Sequence, residues 1–331
     1  MQYRILGKSE VKVSSLAFGA WAIGGWLWGG ADEKEALKAV RASYDLGMTT
    51  IDTAPAYGFG KSEELVAHAM EGVPRNCYQI LTKFGLDWTS SQGEFYFDTV
   101  DNEGKPVKMY RNAKRSRVIK ECEDSLRRLK TDYIDLLQIH WADSTTPIAE
   151  TMLAVTELIK QGKVLAAGVC NYSTEQVKEA LETLSIVSNQ VPYSMVRRDI
   201  EKDIIPQALD KGMSIIPYSP LQRGLLTGKI THDYKFNEGD NRPDSKYFKP
   251  GNIDRVQVLM RKIKPIADAH NASLAQVVIN WTTRQPAMGC VLVGARDEKQ
   301  VHENAGALDF ILSDSELEYL QTAVEATVLT D

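Results

Sequence analysis

The amino-acid sequence predicts an α/β fold, a (β/α)8 TIM barrel with an N-terminal β-hairpin and two long loops on its C-terminal face. Three observations predict it. Eight short apolar runs recur along the 331 residues, amphipathic segments of helical period separate them, and the runs are nearly continuous in apolar residues, as parallel strands buried on both faces are. Eight repeats close most economically as a barrel.

In chain order, Tyr3 to Leu6 and Val11 to Val13 flank Gly7-Lys-Ser-Glu and read as the hairpin. The candidate strands are Leu16 to Gly19, Thr49 to Asp52, Gln79 to Lys83, Ile134 to His140, Leu165 to Val169, Ser188 to Val191, Ser214 to Tyr218 and Cys290 to Gly294. Asp32 to Tyr44 begins with Asp-x-x-Glu, carries Leu37, Val40 and Tyr44 on one face and stops at Gly47, so it reads as a helix. Arg117 to Leu129 puts Ile119, Cys122, Leu126 and Leu129 at helical spacing, and Ser173 with Gln176 caps the helix after the fifth strand. Two stretches interrupt the alternation: Gly85 to Arg111, rich in aromatic and polar residues, and Leu221 to Asn252, rich in Gly, Pro and charge. Loops of that length are usually lids or disordered segments. Both leave from the C-terminal ends of strands, where barrels keep their active sites. No linker divides the chain, so residues 1–331 are expected to form a single domain.

A chain of this length buries roughly three quarters of its unfolded surface, and its 43% hydrophobic and 25% charged residues are ordinary for a globular protein. The net charge of −5 arises from interspersed residues of both signs, which excludes the basic footprint of a nucleic-acid or membrane-surface binder. Cys77, Cys122, Cys170 and Cys290 show no CxxC spacing, and His68, His140, His232, His270 and His302 show no metal-ligand spacing. Neither a disulfide framework nor a metal site is expected. Val13 to Ala31 is uncharged, but its five glycines make a poor membrane helix. Met1-Gln-Tyr-Arg lacks the features of a signal peptide, so a cytoplasmic location is expected. No GxGxxG follows a strand and no GxxxxGK[ST] occurs, which excludes Rossmann and P-loop readings.

Asp52, Tyr57, Lys83 and His140 fall at or just beyond the ends of three consecutive apolar runs. On neighbouring parallel strands, a carboxylate, a phenol, an ammonium and an imidazole would converge on one rim of the sheet. That set can deliver a proton to a carbonyl oxygen. Tyrosine is a weak acid, with a pKa of about 10, and an adjacent ammonium is expected to stabilise the phenolate and draw that value down. Asp52 would hold Lys83, and His140 would hydrogen-bond the substrate oxygen. Taken singly, each has a plain structural reading: a helix cap, a loop aromatic, a surface charge, a core histidine. Their shared placement favours function, because an ionisable group entering a barrel core needs a partner or a task.

The stretches Ile51-Asp-Thr-Ala-Pro-Ala-Tyr57-Gly, Ser62-Glu63, Leu81-Thr-Lys83, Ser125-Leu-Arg-Arg-Leu-Lys-Thr-Asp-Tyr-Ile-Asp-Leu and Gln138-Ile-His140-Trp resemble the aldo-keto reductases, in particular bacterial general-stress and inositol-associated members. The resemblance covers essentially the whole chain. It implies reduction of aldehydes and ketones with NADPH, Tyr57 as proton donor, Asp52 and Lys83 tuning it, and His140 positioning the carbonyl. It also implies that Asn171 and Gln190 hold the nicotinamide carboxamide, with Cys170 where the family usually has serine. A thiol bonds weakly, and Cys170 reads equally as a small buried hydrophobe.

By the same resemblance Tyr218 stacks on the nicotinamide, followed by Ser219, Pro220, Leu221 and Gly224 along the cofactor. Gly294, Arg296, Gln300 and Asn304 correspond to the adenosine and 2′-phosphate site. A glycine before a helix N-terminus, with an arginine fork, is physically an anion site. Lys229 and Arg242 match positions reaching over the phosphates, and as loop charges they read equally as solvated residues. Ala20 and Trp21 would line the pocket beside the nicotinamide, with Trp26, Trp28, Trp88 and Trp141 as candidate substrate walls. The expected partner is a small carbonyl compound, with no nucleic acid or membrane partner and a monomeric state by default. Two other readings stay open: a Schiff-base lyase using Lys83, and an NADPH-binding subunit that senses redox state for a partner protein.

Overall fold

The computed structural model describes residues 1–26, 30–236, 240 and 242–330, so Trp28 and part of the second long loop lie outside the described residues. Strands β1 (Tyr3–Ile5) and β2 (Lys12–Ser14) pair antiparallel, with Tyr3 opposite Ser14. Eight parallel strands follow the predicted runs: β3 (Leu16–Gly19), β4 (Thr50–Asp52), β5 (Gln79–Phe84) and, after an inserted sheet of β6 to β8, β9 (Ile134–Ile139), β10 (Val164–Cys170), β11 (Ile186–Pro192), β12 (Ser214–Tyr218) and β13 (Val291–Gly294). Their order is β12-β11-β10-β9-β5-β4-β3-β13. The ends meet through a parallel bridge between Ile215 and Met288, where Ile215 N donates to Ala287 O at 2.8 Å and Gly289 N to Ile215 O at 2.9 Å. The result is a (β/α)8 barrel.

The hairpin plugs its N-terminal end. Leu6, Val11 and Val13 pack with Ala17, Leu81, Leu136, Ile216 and Leu292 inside the barrel. Burying each of the leucine, isoleucine and valine side chains is worth about 1.5–3 kcal/mol. The fit is close enough that a Cβ on Gly289 would lie 2.7 Å from the Leu6 side chain. That position takes glycine.

Outside the strands lie α1 (Glu33–Asp45), α2 (Lys61–Ala69), α3 (Arg115–Leu129), α4 (Ile148–Lys160), α5 (Thr174–Thr183), α6 (Ile204–Lys211), α7 (Pro250–Ala269), α8 (Leu274–Thr283), α9 (Glu298–Ala305) and α10 (Asp314–Glu325). Asp32 caps α1 by accepting from the Lys34 and Glu35 amides, and Ser173 with Gln176 forms a reciprocal capping box on α5. Helix α3 departs from expectation: it starts at Arg115 and turns Val118, Glu121, Cys122, Ser125 and Leu129 inward, so the apolar face read from Ile119 is rotated to admit a buried carboxylate.

The first long stretch is not a loop. It folds as β6 (Leu86–Asp87), β7 (Glu94–Val100) and β8 (Pro106–Arg111), an antiparallel sheet of order β6-β8-β7 standing on the C-terminal face. The second contains short 3₁₀ turns at Leu225–Thr227, Arg242–Asp244 and Lys246–Phe248, and α7 begins within its predicted span. Among the described residues no helix is long and apolar enough to cross a membrane.

Candidate active site

Strand β4 ends at Asp52, β5 carries Lys83, and His140 follows the last residue of β9. Lys83 Nζ donates to Asp52 Oδ1 at 2.6 Å and to Thr53 O at 2.9 Å, and its side chain is only 1% exposed. The other carboxylate oxygen, Asp52 Oδ2, accepts from Gln190 Nε2 at 2.8 Å and Gln138 Nε2 at 3.4 Å. A buried ion pair survives desolvation only with such added hydrogen bonds.

Beyond β4 the chain turns tightly. Tyr57 N donates to Ala54 O, and Ser62 N donates to Tyr57 O, each at 3.1 Å. Gly58, at φ +67°, lies so near Gly24 that a Cβ would fall 2.1 Å from the Gly24 oxygen. Only glycine permits this seat for the Tyr57 backbone. Ser62 Oγ donates to Ala20 O at 2.8 Å, while Glu63 accepts from Thr82 Oγ1 at 2.7 Å and from Arg128 Nε at 2.6 Å. The Ser62-Glu63 and Arg128 parts of the motif thus hold the turn to the barrel.

Lys83 Nζ lies 4.8 Å from the Tyr57 ring centroid. The His140 ring meets Tyr57 edge-on, with centroids 5.7 Å apart, and Trp21 stacks on Tyr57 at 6.1 Å. Burial pushes the Tyr57 phenol up to about 12; Lys83 pulls it down, but Asp52 offsets part of that pull. The expectation of a lowered value is therefore corrected: desolvation outweighs the ammonium, and Tyr57 keeps its proton at neutral pH. Burial opposes the charge on Lys83, yet Asp52 and Tyr57 together raise its pKa. His140 is held well below the ordinary range by burial and by Lys83. It is neutral and able to donate to an oxygen.

Trp21, Asp52, Tyr57 and His140 open into a cavity of about 570 Å³. It runs from Tyr57, His140 and Trp141 past Asn171, Gln190 and Tyr218 to Gly294, Arg296 and Gln300. Tyr218 OH donates to Asn171 Oδ1 at 3.0 Å, and Asn171 Nδ2 donates to His140 O at 3.2 Å, which holds Asn171 at φ +58°. Gly19 pairs with Gly294 at the rim, and a Cβ on Gly294 would meet nothing nearer than Gly19 O at 3.9 Å. That leaves backbone open to a ligand. Amide side chains at one end and arginines at the other fit a dinucleotide with a carboxamide at its head and phosphates behind.

Asp52, Trp21, Ser219, Pro220, Leu221, Gly224 and Arg242 also line the groove. Ser219, Gln222 and Arg223 take φ of +56°, +46° and +55° there, conformations that surrounding structure must enforce. Arg242 is already engaged, with its Nη2 2.6 Å from Asp240 Oδ2. Other expected residues stand elsewhere. Ala20 is buried behind the wall, its N donating to Asp52 O at 2.8 Å. Lys83 and Cys170 are buried outside the lining, and burial pushes the thiol up. Trp88 packs on Phe59 at 5.4 Å, and Lys229 is exposed outside the groove. Asn304 donates to Gly294 O at 3.1 Å, supporting the rim, while Gln300 Oε1 accepts from Arg296 N at 3.1 Å.

Sequence reasoning missed Arg223, Leu86, Tyr96 and Phe97, all of which line the groove. The Phe95-Tyr-Phe97 cluster within the first long stretch was the available signal for the last two. Among the described residues, no group of three or more His, Cys, Asp or Glu could hold a metal ion.

A barrel with this corner and groove defines a class, and the family model for the aldo/keto reductase family matches residues 15–325. The chain belongs to that family. It is 36% identical over 330 residues to the aldo-keto reductase YhdN of Bacillus subtilis, covering 99% of this chain and 95% of that one. It is 32% identical over 326 residues to an NADH-specific methylglyoxal reductase of Escherichia coli, covering 97% and 98% of the two chains. The glycerol dehydrogenase AKR11B4 from Gluconobacter oxydans superposes with a TM-score of 0.89 at 34% identity, covering 99% of this chain and 97% of that one.

Proposed function

We propose that this protein is an NADPH-dependent carbonyl reductase, converting an aldehyde or ketone, NADPH and a proton to an alcohol and NADP+, reversibly. The observation that carries the reading is the placement of the Tyr57 phenol beside the buried Lys83–Asp52 pair and the His140 ring, at the groove wall. NADPH, when bound, supplies the hydride. Asn171 and Gln190 would hold the carboxamide end, Tyr218 the ring face, and Arg296 with Arg223 and Arg242 the phosphate end.

Tyr57 donates its proton to the carbonyl oxygen as negative charge builds there, and Lys83 lies where it stabilises the phenolate left behind. Desolvation keeps that proton on Tyr57 between turnovers. His140 donates a hydrogen bond to the same oxygen and orients the carbonyl. Lys83, held as an ammonium by Asp52 and Thr53, lacks the free amine that a Schiff-base lyase requires. The phenol, imidazole and ion pair needed for turnover are all assembled, which favours an enzyme over a purely sensing subunit.

Preference for NADPH over NADH rests on Arg296, which is exposed at the groove's end and makes no ion pair among the described residues. The test is cofactor consumption over a panel of aldehydes, ketones and sugars with each nucleotide. Consumption with NADPH at higher kcat/KM than with NADH supports the reading. A preference for NADH removes the nucleotide assignment, and no consumption with any carbonyl removes the activity.

A further inference from the structure

The groove has two chemically different ends. Beside Tyr57 and His140 its walls are Trp21, Trp26, Tyr96, Phe97 and Trp141. Tyr96 and Phe97 come from the inserted strand β7, whose pairing with β8 slips register between Phe95 and Phe97. In a regular strand two successive side chains point to opposite faces; this irregularity brings both to the groove.

The rings are held from outside. Trp26 lies nearly parallel to Phe97, with centroids 6.1 Å apart and planes at 13°, and its Nε1 donates to Thr99 Oγ1 at 3.1 Å. The segment after β3 is thereby tied to β7 across the mouth. Tyr96 meets Trp141 at 5.8 Å. The Arg111 guanidinium carbon is 4.1 Å from the Tyr96 ring centroid and 5.5 Å from that of Trp141, with Nη1 3.5 Å from Glu94 Oε1. Arg111 does not line the groove, so its charge is directed to these rings and to Glu94. Among the described lining residues the formal charges are Asp52, already paired with Lys83, and Arg223, Arg242 and Arg296, which follow β12 and β13 on the far side of the barrel.

We propose that the aromatic end is a selecting slot for the non-reacting part of the carbonyl substrate, that it takes a flat, uncharged, apolar group such as a phenyl ring, and that Tyr96 and Phe97 are its specificity-determining residues. The proposal rests on the carbonyl-reductase reading and deepens it. A ring between held aromatic faces is removed from water at little ordering cost. A short aldehyde leaves those faces wet. A substrate carrying a carboxylate at the same end would bury it with no available cation.

The test compares aldehydes of matched carbonyl reactivity: propanal, 3-phenylpropanal, and 3-phenylpropanal bearing a para carboxylate, each with NADPH. The expected kcat/KM for 3-phenylpropanal is roughly 10- to 100-fold above propanal, the range that burying one aromatic side chain implies, and the carboxylate should remove at least about tenfold. Phe97→Ala and Tyr96→Ala should each shrink the phenyl-to-propyl ratio, with NADPH binding followed by fluorescence quenching to establish that the variants fold; Phe97→Leu, which keeps volume without a ring face, should shrink it partway. Equal kcat/KM for the two uncharged aldehydes, faster turnover of the carboxylate, or ratios unmoved in folded variants overturns the slot while leaving the reductase reading in place. No turnover of any aldehyde overturns both.

Discussion

The two walls that meet at the substrate end of the groove are held in opposite ways. The Tyr57 corner is built on barrel strand ends, with Lys83, Asp52, Gln138 and Gln190 joined in one buried hydrogen-bond set. The aromatic wall stands on the inserted β6 to β8 sheet, whose base is fastened by a charged node. Glu121 Oε2 accepts from Gly85 N at 2.9 Å, and Arg117 bridges Glu121 at 2.6 Å and Asp87 at 3.1 Å. In the proposed reading, chemistry is fixed in the scaffold and selection in an addition to it. Damage to the first should appear in kcat and damage to the second in substrate preference, and buried charges beneath both should register in stability.

The sharpest contrast comes from Lys83→Met. It leaves Asp52 buried without its partner, so unfolding free energy should fall by roughly 3–5 kcal/mol, with turnover reduced by at least about a hundredfold. Adding Asp52→Asn should return much of the stability in urea titrations and none of the turnover. Recovery of turnover in the double variant would contradict a role for the pair in catalysis.

Next is the node under the aromatic wall. Burial pushes Glu121 up to about 7, against the pull of Arg117 and the Gly85 amide. A carboxyl with a folded-state value above its unfolded one binds extra protons in the native state, so its contribution is full below about pH 4.5 and is lost as pH rises through about 7. The loss amounts to about 3 kcal/mol at most. Glu121→Gln should flatten that part of the stability profile, measured by urea unfolding at several pH values. An unchanged slope would show that another group titrates there.

Arg296→Ala should raise KM for NADPH about tenfold, with a smaller change for NADH, read from initial rates. Equal changes for both nucleotides would mean that Arg296 does not read the 2′-phosphate. The smallest effect is expected for Cys170→Ser. The side chain is fully buried and does not line the groove, so cofactor affinity should stay within about threefold. A larger gain would mean that residue 170 reaches the cofactor.

The same division decides what could be read from the sequence. Barrel strands buried on both faces write continuous apolar runs, and their ends fell within a residue or two of expectation at Val164, Ile186 and Val291. Asp52, Tyr57, Lys83 and His140 were legible because ionisable groups stand out at the ends of such runs. The inserted sheet was not, because Glu94-Phe-Tyr-Phe97 breaks the alternation where its register slips. The Asp101 to Gly104 turn between two β-rich runs was the hairpin signal that remained. Arg223 was hidden because its left-handed turn is made by Gln222 and Arg223 themselves, with no glycine at either position to announce it.

The central claim is that the Tyr57 phenol gives its proton to the substrate oxygen. Its most direct test is single-turnover loss of reduced-nicotinamide fluorescence after mixing NADPH-loaded protein with an aldehyde, for the native chain and for Tyr57→Phe. The account predicts NADPH affinity preserved within about threefold and a transfer rate lowered by about 10²- to 10⁴-fold. A transfer rate within a factor of about two of the native one, in a variant that still binds NADPH, would contradict it.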